Sequence, residues 1–311
     1  MIAEHINAST AYYIKLGREG SWERDCITKD QTLRVGFNDI RHDLCLADKW
    51  DEIREGLIEK GKTRGTARLF SNQLRLFYKA DSTMLWMTFF SDRMYWCFAE
   101  SGVVMLADGS RIRPVRDKWR SVDVNDSPLE KIRLSGKLLA VEGFRGAICS
   151  VKEFDYLVNR INGVVPEDVR QAIEARSNLE AATEKLIGEL HPKDFEILVD
   201  LIFRQAGWQR MSRLGGTEKT LDLALLSPVT SDRFGVQVKS KADVALFNDY
   251  LERFDDMHGY ARFYFVVHSP SPDLADLQAQ KSGRTELVFC EKLAEWAVKY
   301  GLVDWVIDKA S

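Results

Sequence analysis

The chain has no apolar run near the ~18 residues of a membrane span. Its opening, MIAEHINAST, has neither the basic start nor the apolar core of a secretion signal. These two absences predict a cytoplasmic protein with no membrane partner. Cysteine is sparse: Cys26, Cys45, Cys97, Cys149 and Cys290 are scattered, and no C-x-x-C occurs. An odd number without an export signal predicts reduced thiols rather than a disulfide framework. The five histidines form no H-x-x-H or H-E-x-x-H pattern, which argues against a zinc site. No G-x-x-x-x-G-K-[ST] phosphate loop and no G-x-S-x-G elbow is present, so several enzyme classes fall away. Excess positive charge is also missing, with a net charge of −3 and a pI of about 6.0. A basic footprint for nucleic acid must therefore be local.

What is there suits an α+β protein of two domains. Hydrophobic residues make up 45% of 311, enough for ordinary cores. Residues 1–165 are expected to be a β-rich recognition domain. TLRVGF, TMLWMTFF, RMYWCFA and KLLAVEGF read as strands, and Ser91-Asp92 marks a hairpin turn. One helix, DKWDEIREGLIEKG, interrupts them, with Trp50, Ile53, Leu57 and Ile58 at helical spacing and Gly61 as a stop. Pro166, Glu167 and Asp168 then open a connecting helix over 166–188. Its apolar stripe is Val169, Ala172, Ile173, Leu179, Ala182, Leu186 and Leu190. From 189 to 311 helices and strands mix in an α/β pattern, a sheet sandwiched by helices.

In this last part RFGVQVKSKA sends Gln237 and Lys239 to the same side of a strand, since side chains alternate with period two. Such a pair is either the wet face of a sheet or half of an active site. Asp222 lies 15 residues before Gln237 (237 − 222). If the two strands form a hairpin, Asp222, Gln237 and Lys239 converge at one sheet end. Glu196 on the preceding helix adds a carboxylate from above; Asp200, one turn on, could take its place, or Glu196 could simply face solvent. Oxygen donors of this kind suit a hard divalent cation such as Mg²⁺. Asp222 would be the principal ligand, with Glu196, the Gln237 side-chain carbonyl and the Val238 backbone carbonyl as lesser ones. Lys239 would be the catalytic cation, offsetting charge that develops on a phosphoryl group.

The stretch from LHPKDFEILVDLIFRQAGW through GGTEKTLDLALLSP to RFGVQVKSKA resembles the catalytic domain of the Mrr-like restriction endonucleases, in the PD-(D/E)xK nuclease superfamily. The matching residues are Phe195-Glu196, Gly215-Gly216, Asp222 and Gln237-Val238-Lys239. The resemblance covers roughly residues 188–270. It implies a small mixed sheet flanked by helices and a metal-dependent DNA endonuclease using Mg²⁺, with Mn²⁺ as a substitute. The approach GGTEKTLD departs from the family's Gly/Asp run and leaves Glu218 and Lys219 unassigned. Lys219 is either a phosphate contact or an exposed lysine leading into a strand.

The first domain concentrates Trp86, Tyr95 and Trp96 in one hairpin. RIRPVRDKWR then gathers Arg111, Arg113, Arg116, Lys118 and Arg120 around Trp119. Cations for phosphate and rings for bases are what a nucleic-acid surface uses. Trp86, Trp96, Arg111, Arg113 and Arg116 are the candidate contacts, against the alternatives of core tryptophans and a solvated loop. In architecture the domain looks like the PUA/EVE-type readers of modified bases. The expected function is a restriction or defence endonuclease that selects modified or foreign DNA through this domain. Two rivals stand beside it. One is a nucleic-acid-binding protein with an inactive nuclease core. The other is a nuclease whose first domain senses a small nucleotide or a partner. A homodimer is expected because one such centre cuts one strand. The apolar segment EWAVKYGLVDWVI, with Trp296, Leu302, Trp305 and Val306, either supports the pairing or packs internally.

Overall fold

The computed structural model describes residues 5–211, 221–277 and 283–311. The fold is α+β and consists of two compact units, Met1–Pro166 and Glu167–Ser311.

The first unit is built on seven strands: β1 (Thr10–Ile14), β2 (Thr32–Val35), β3 (Met84–Phe90), β4 (Arg93–Ala99), β5 (Val104–Met105), β6 (Arg111–Arg120) and β7 (Ile148–Ser150). Their order is β2-β6-β4-β3-β1-β7, with β5 also on β6. The path is mixed, since β1 runs parallel to β3. Among the described residues β2 and β7 stand at the ends of this path.

Both faces of the sheet are covered, which explains why β3 is apolar at nearly every position. Trp86 faces one core with Cys97, Trp119 and the helices Trp50–Glu59 and Arg64–Lys79. Leu85, Met87 and Phe89 face the other, with Leu138, Leu157 and Ile161. The Arg64–Lys79 helix was not expected, yet Ala67, Leu74 and Phe77 sit at helical spacing and the Thr63 side chain caps it by accepting from the Thr66 N–H at 3.2 Å. KLLAVEGF is not a strand. It forms two short helical turns, Gly136–Leu139 and Ala140–Gly143, with Ser135 capping the first. A short apolar run has no period of its own, and the serine cap decides its conformation.

The β3–β4 hairpin turns at Ser91 and Asp92, whose φ values are +47° and +58°. Two left-handed residues match the right-handed twist of the strands, and Asn-Gly is the dipeptide that adopts them at least cost. Ser91→Asn with Asp92→Gly is therefore expected to raise stability by up to about 1 kcal/mol. Urea denaturation of the two proteins measures it. No gain would mean that contacts of Ser91 and Asp92 outweigh the turn.

The second unit has a five-stranded sheet of β8 (Gln209–Arg210), β9 (Leu223–Leu226), β10 (Arg233–Ala242), β11 (Arg262–Pro270) and β12 (Thr285–Val288), in the order β12-β11-β10-β9-β8. β9 is antiparallel to β8 and β10, while β10, β11 and β12 are mutually parallel neighbours. A parallel pair needs a crossover. The Val244–Asp255 helix supplies it, capped by Asp243, which accepts from the Leu246 N–H at 2.8 Å.

One face carries the helices Glu167–Glu189, Pro192–Gln205, Cys290–Lys299 and Val303–Ala310; the other carries Val244–Asp255 and Pro272–Leu277. Phe195, Leu198, Val199, Ile202 and Phe203 are all buried, as their spacing predicts. In the Glu167–Glu189 helix the expected stripe is only partly used. Val169, Ile173 and Leu179 are exposed, and burial falls on Thr183 and Ile187, with Leu190 just beyond. The first turns of this helix are held instead by local ion pairs of Arg170 with Glu167 and Glu174. Leu302 and Val306 are buried in the unit's own core, and Trp296 and Trp305 pack against it. The apolar segment that suggested a dimer thus packs mostly within its own unit, with Ile307 exposed at its end.

Candidate functional site

β9 and β10 are paired from Leu223 opposite Val236, and beyond that point they part. Asp222 sits at the fork. Its N–H still donates to the Val236 carbonyl at 3.0 Å, while its carboxylate turns into the gap and accepts from the Val238 N–H at 2.7 Å. The same oxygen, Oδ2, accepts from the Gln237 side-chain amide. An exposed carboxylate is thereby fixed by two donors of the neighbouring strand. The N–H and C=O of one strand residue leave on the same side, so the Val238 carbonyl faces this gap too. Leu221, just before Asp222, is anchored in the second unit's core. A Cβ at Gly235 would come within 2.7 Å of Leu221 Cδ2, so the glycine leaves the room that this anchor occupies.

Gln237 is buried at 3% exposure, and its amide has a partner in Asp222. Lys239, two residues along on the same face, is half-buried, with its ammonium 4.8 Å from the centre of the Tyr250 ring. Tyr250 comes from the crossover helix and was not foreseen. Its ring also faces Arg253, at 5.1 Å. No local pattern identifies it, because the contact depends on how that helix lies on the sheet.

Asp222, Gln237 and Val238 thus come together, and Lys239 lies on the same strand face as Gln237, against Tyr250. Glu196 does not join them: it is exposed on the Pro192–Gln205 helix, and among the described residues no contact links it to Asp222. Its neighbour Phe195 is core, edge-on to His268 at 4.9 Å. Asp200 is engaged elsewhere, pairing with Arg204 at 2.9 Å and Arg210 at 3.2 Å. No group of three or more His, Cys, Asp or Glu side chains suited to a metal occurs among the described residues. Among the described residues the donors at the fork are one carboxylate, Asp222, and the Val238 carbonyl, which also accepts from the Gln237 amide at 3.4 Å. That fits Mg²⁺, which keeps several waters and takes one or two carboxylates plus substrate phosphate oxygens. Gly215, Gly216, Glu218 and Lys219 lie outside the described residues.

In the first unit the expected nucleic-acid contacts need correction. Trp86 is fully buried between Tyr12 and Phe77, with ring centroids at 5.7 and 6.1 Å. Trp96 is 4% exposed and donates its indole N–H to the Val122 carbonyl at 2.9 Å. Neither ring is available for stacking. Arg111 and Arg113 point inward from β6, at 0% and 1% exposure. Arg111 donates to the carbonyls of Gly36, Phe37, Ile40 and Gly109 and to the Tyr78 hydroxyl. Burial pushes that hydroxyl up to about 12, so it stays protonated. Arg113 donates to the carbonyls of Phe77, Ala80 and Glu100, and desolvation lowers its pKa below the usual guanidinium range. These arginines satisfy backbone acceptors at chain crossings. Arg116 alone of the three is exposed, lying over Phe98 at 4.9 Å and donating to the Ser82 carbonyl.

No protein-family profile matches the chain, and no curated protein matches it. Solved structures give distant similarities. The DNA modification-dependent restriction endonuclease AspBHI superposes with a TM-score of 0.30 at 11% identity, over 72% of this chain and 68% of that one. The MspJI restriction endonuclease in complex with an oligonucleotide gives 0.28 at 14% identity, over 80% and 70%. The restriction endonuclease FokI bound to DNA gives 0.26 at 10% identity, over 67% and 38%. At such TM-scores the superpositions carry no weight for function.

Proposed function

We propose that the second unit is a metal-dependent phosphodiester hydrolase that cuts DNA, and that the protein is a restriction or defence endonuclease whose first unit selects modified or foreign DNA. The observation that carries this reading is the fork. A carboxylate is held by Gln237 and Val238 where two strands part, and a lysine lies two residues along the same strand.

Asp222 and the Val238 carbonyl would hold Mg²⁺ or Mn²⁺, which supplies Lewis-acid polarisation of a phosphoryl oxygen. The chain does the rest. Gln237 keeps the carboxylate turned into the gap. Lys239, resting against Tyr250, presents a cation to the charge that grows on the phosphoryl oxygens. Glu196 is proposed only as an outer carboxylate. A binding protein with a silent core is the weaker reading, because Asp222 and Lys239 are both present.

The test is cleavage of modified and unmodified phage DNAs by the full chain with Mg²⁺, with Mn²⁺ and with chelator. Cutting that needs the metal supports the reading. Binding without cutting under every metal condition moves it to the silent-core alternative. Breaks in both strands are most simply made by two such centres, hence by two copies of the chain. Light scattering that finds only monomer, free and on DNA, would remove that part.

A further inference from the structure

A cleft of about 530 Å³ opens in the first unit. Its volume lies within the ~300–1,000 Å³ of small-molecule sites. Three half-buried rings line it, Trp22, Phe37 and Phe70, together with three cations, Lys15, Arg18 and Arg145. The carboxylate at its wall is Glu19.

The rings are held in place before any ligand arrives. The Arg34 guanidinium lies over Trp22 at 4.3 Å and is itself fixed by Asp108 and Ser110. Phe37 meets Phe70 edge-on at 5.3 Å and sits at a φ of +66°, a backbone position that an aromatic residue rarely takes. Gly17, at a φ of +87°, brings the backbone so close to the indole that a Cβ would lie 3.0 Å from Trp22 Cδ2. Lys15 is tied to the wall by donating to the Phe144 carbonyl. Arg18 and Arg145 are exposed and form no ion pair among the described residues.

An apolar ligand would have no use for three cations against one carboxylate, and a bare anion none for three rings. A flat aromatic group carrying negative charge uses both. We propose that this cleft binds a nucleoside phosphate, with the base against Trp22, Phe37 and Phe70 and the phosphate at Arg18 and Arg145. The ligand is either a free nucleotide or one nucleotide of a DNA strand. The inference stands on the first unit alone and does not depend on whether the second unit cuts DNA.

The test uses the full chain in chelator, where metal-dependent chemistry is silent. The probes are the 5′-mononucleotides in ribo and deoxy form, the matching nucleosides, and a single-stranded oligonucleotide of mixed sequence, measured by calorimetry. Arg145→Ala is expected to weaken mononucleotide binding about tenfold or more, with little change for the nucleoside. Phe70→Ala should weaken both by roughly 5- to 150-fold. Unchanged thermal melts of the variants guard against loss of fold, and the exposed Arg18→Ala and Arg145→Ala changes provide a test that does not touch the core. If the oligonucleotide displaces the mononucleotide with the same residue dependence, the source is a strand; if it does not, the source is a free nucleotide. Three results overturn the proposal: no binding of any probe at millimolar concentration, affinity unchanged in the Arg18→Ala/Arg145→Ala double variant, or losses in the arginine variants with none in Phe70→Ala.

Discussion

Asp222→Asn is expected to abolish detectable DNA cleavage, lowering the rate by at least a hundred- to a thousandfold, roughly the cost of removing one preorganised charge-stabilising group. Asparagine is the informative replacement. Its side-chain carbonyl still accepts from the Gln237 amide and the Val238 N–H, so the fork keeps its hydrogen bonds while the negative charge disappears. Asp222→Ala removes the acceptor as well: the Val238 N–H loses its partner and the buried Gln237 amide keeps only a long bond to the Val238 carbonyl at 3.4 Å, at an added cost of about 1–3 kcal/mol. The two variants thus separate chemistry from folding. Asn should melt near the wild-type temperature and be inactive; Ala should be inactive and less stable. Lys239→Ala gives a third pattern. It leaves Asp222 and Val238 untouched, so Mg²⁺ or Mn²⁺ binding by calorimetry should persist while turnover is lost. An Asp222→Asn protein that cuts DNA at the wild-type rate with Mg²⁺ would sink the assignment of this site.

The second large effect belongs to the first unit. Arg113→Met is expected to lower its stability by about 3–5 kcal/mol, the usual consequence of dismantling a buried, fully bonded charged group. Arg113 supplies donors to three backbone carbonyls, Phe77, Ala80 and Glu100, which tie β6 to the end of the Arg64–Lys79 helix and to the residue after β4. Methionine fills much of the volume and offers none of the donors, so the buried Phe77 and Ala80 carbonyls lose this partner. Arg111→Met should behave alike, since it joins the Gly36–Ile40 segment to Gly109. Folded domains are stable by only ~5–15 kcal/mol, so either change brings the unit near unfolding. Arg116→Ala, on the exposed face of the same strand, should shift stability by less than about 0.5 kcal/mol. Guanidinium denaturation of the three variants measures the contrast. Were Arg113→Met as stable as wild type but unable to bind DNA, the arginine would be a ligand contact and the structural account would fail.

Much of the second unit was legible because its signals are local. Helical spacing alone marks Phe195, Leu198, Val199, Ile202 and Phe203 as one buried face. The order of an acidic strand and a Gln-x-Lys strand brings Asp222 beside Gln237, since antiparallel neighbours joined by a short loop must register side by side, and alternation puts Lys239 on Gln237's face. What only the tertiary structure decided is where each face looks. In RIRPVRDKWR alternation separates Arg111 and Arg113 from Arg116, but it does not say which set meets solvent. Charge suggests that all three do. Carbonyls left unpaired at remote chain crossings, Gly36, Ile40, Phe77 and Ala80 among them, draw two of them inward. The hairpin tryptophans follow the same logic. When helices cover both faces of a sheet, a large ring on either face is core, and only the path of chain dozens of residues away establishes that both faces are covered. Lys239's support by Tyr250 and the grouping of Trp22, Phe37 and Phe70 likewise join segments that no periodicity connects. Sequence pattern reports the period of a local backbone, whereas burial is settled by contacts at long separation, which a local pattern does not encode.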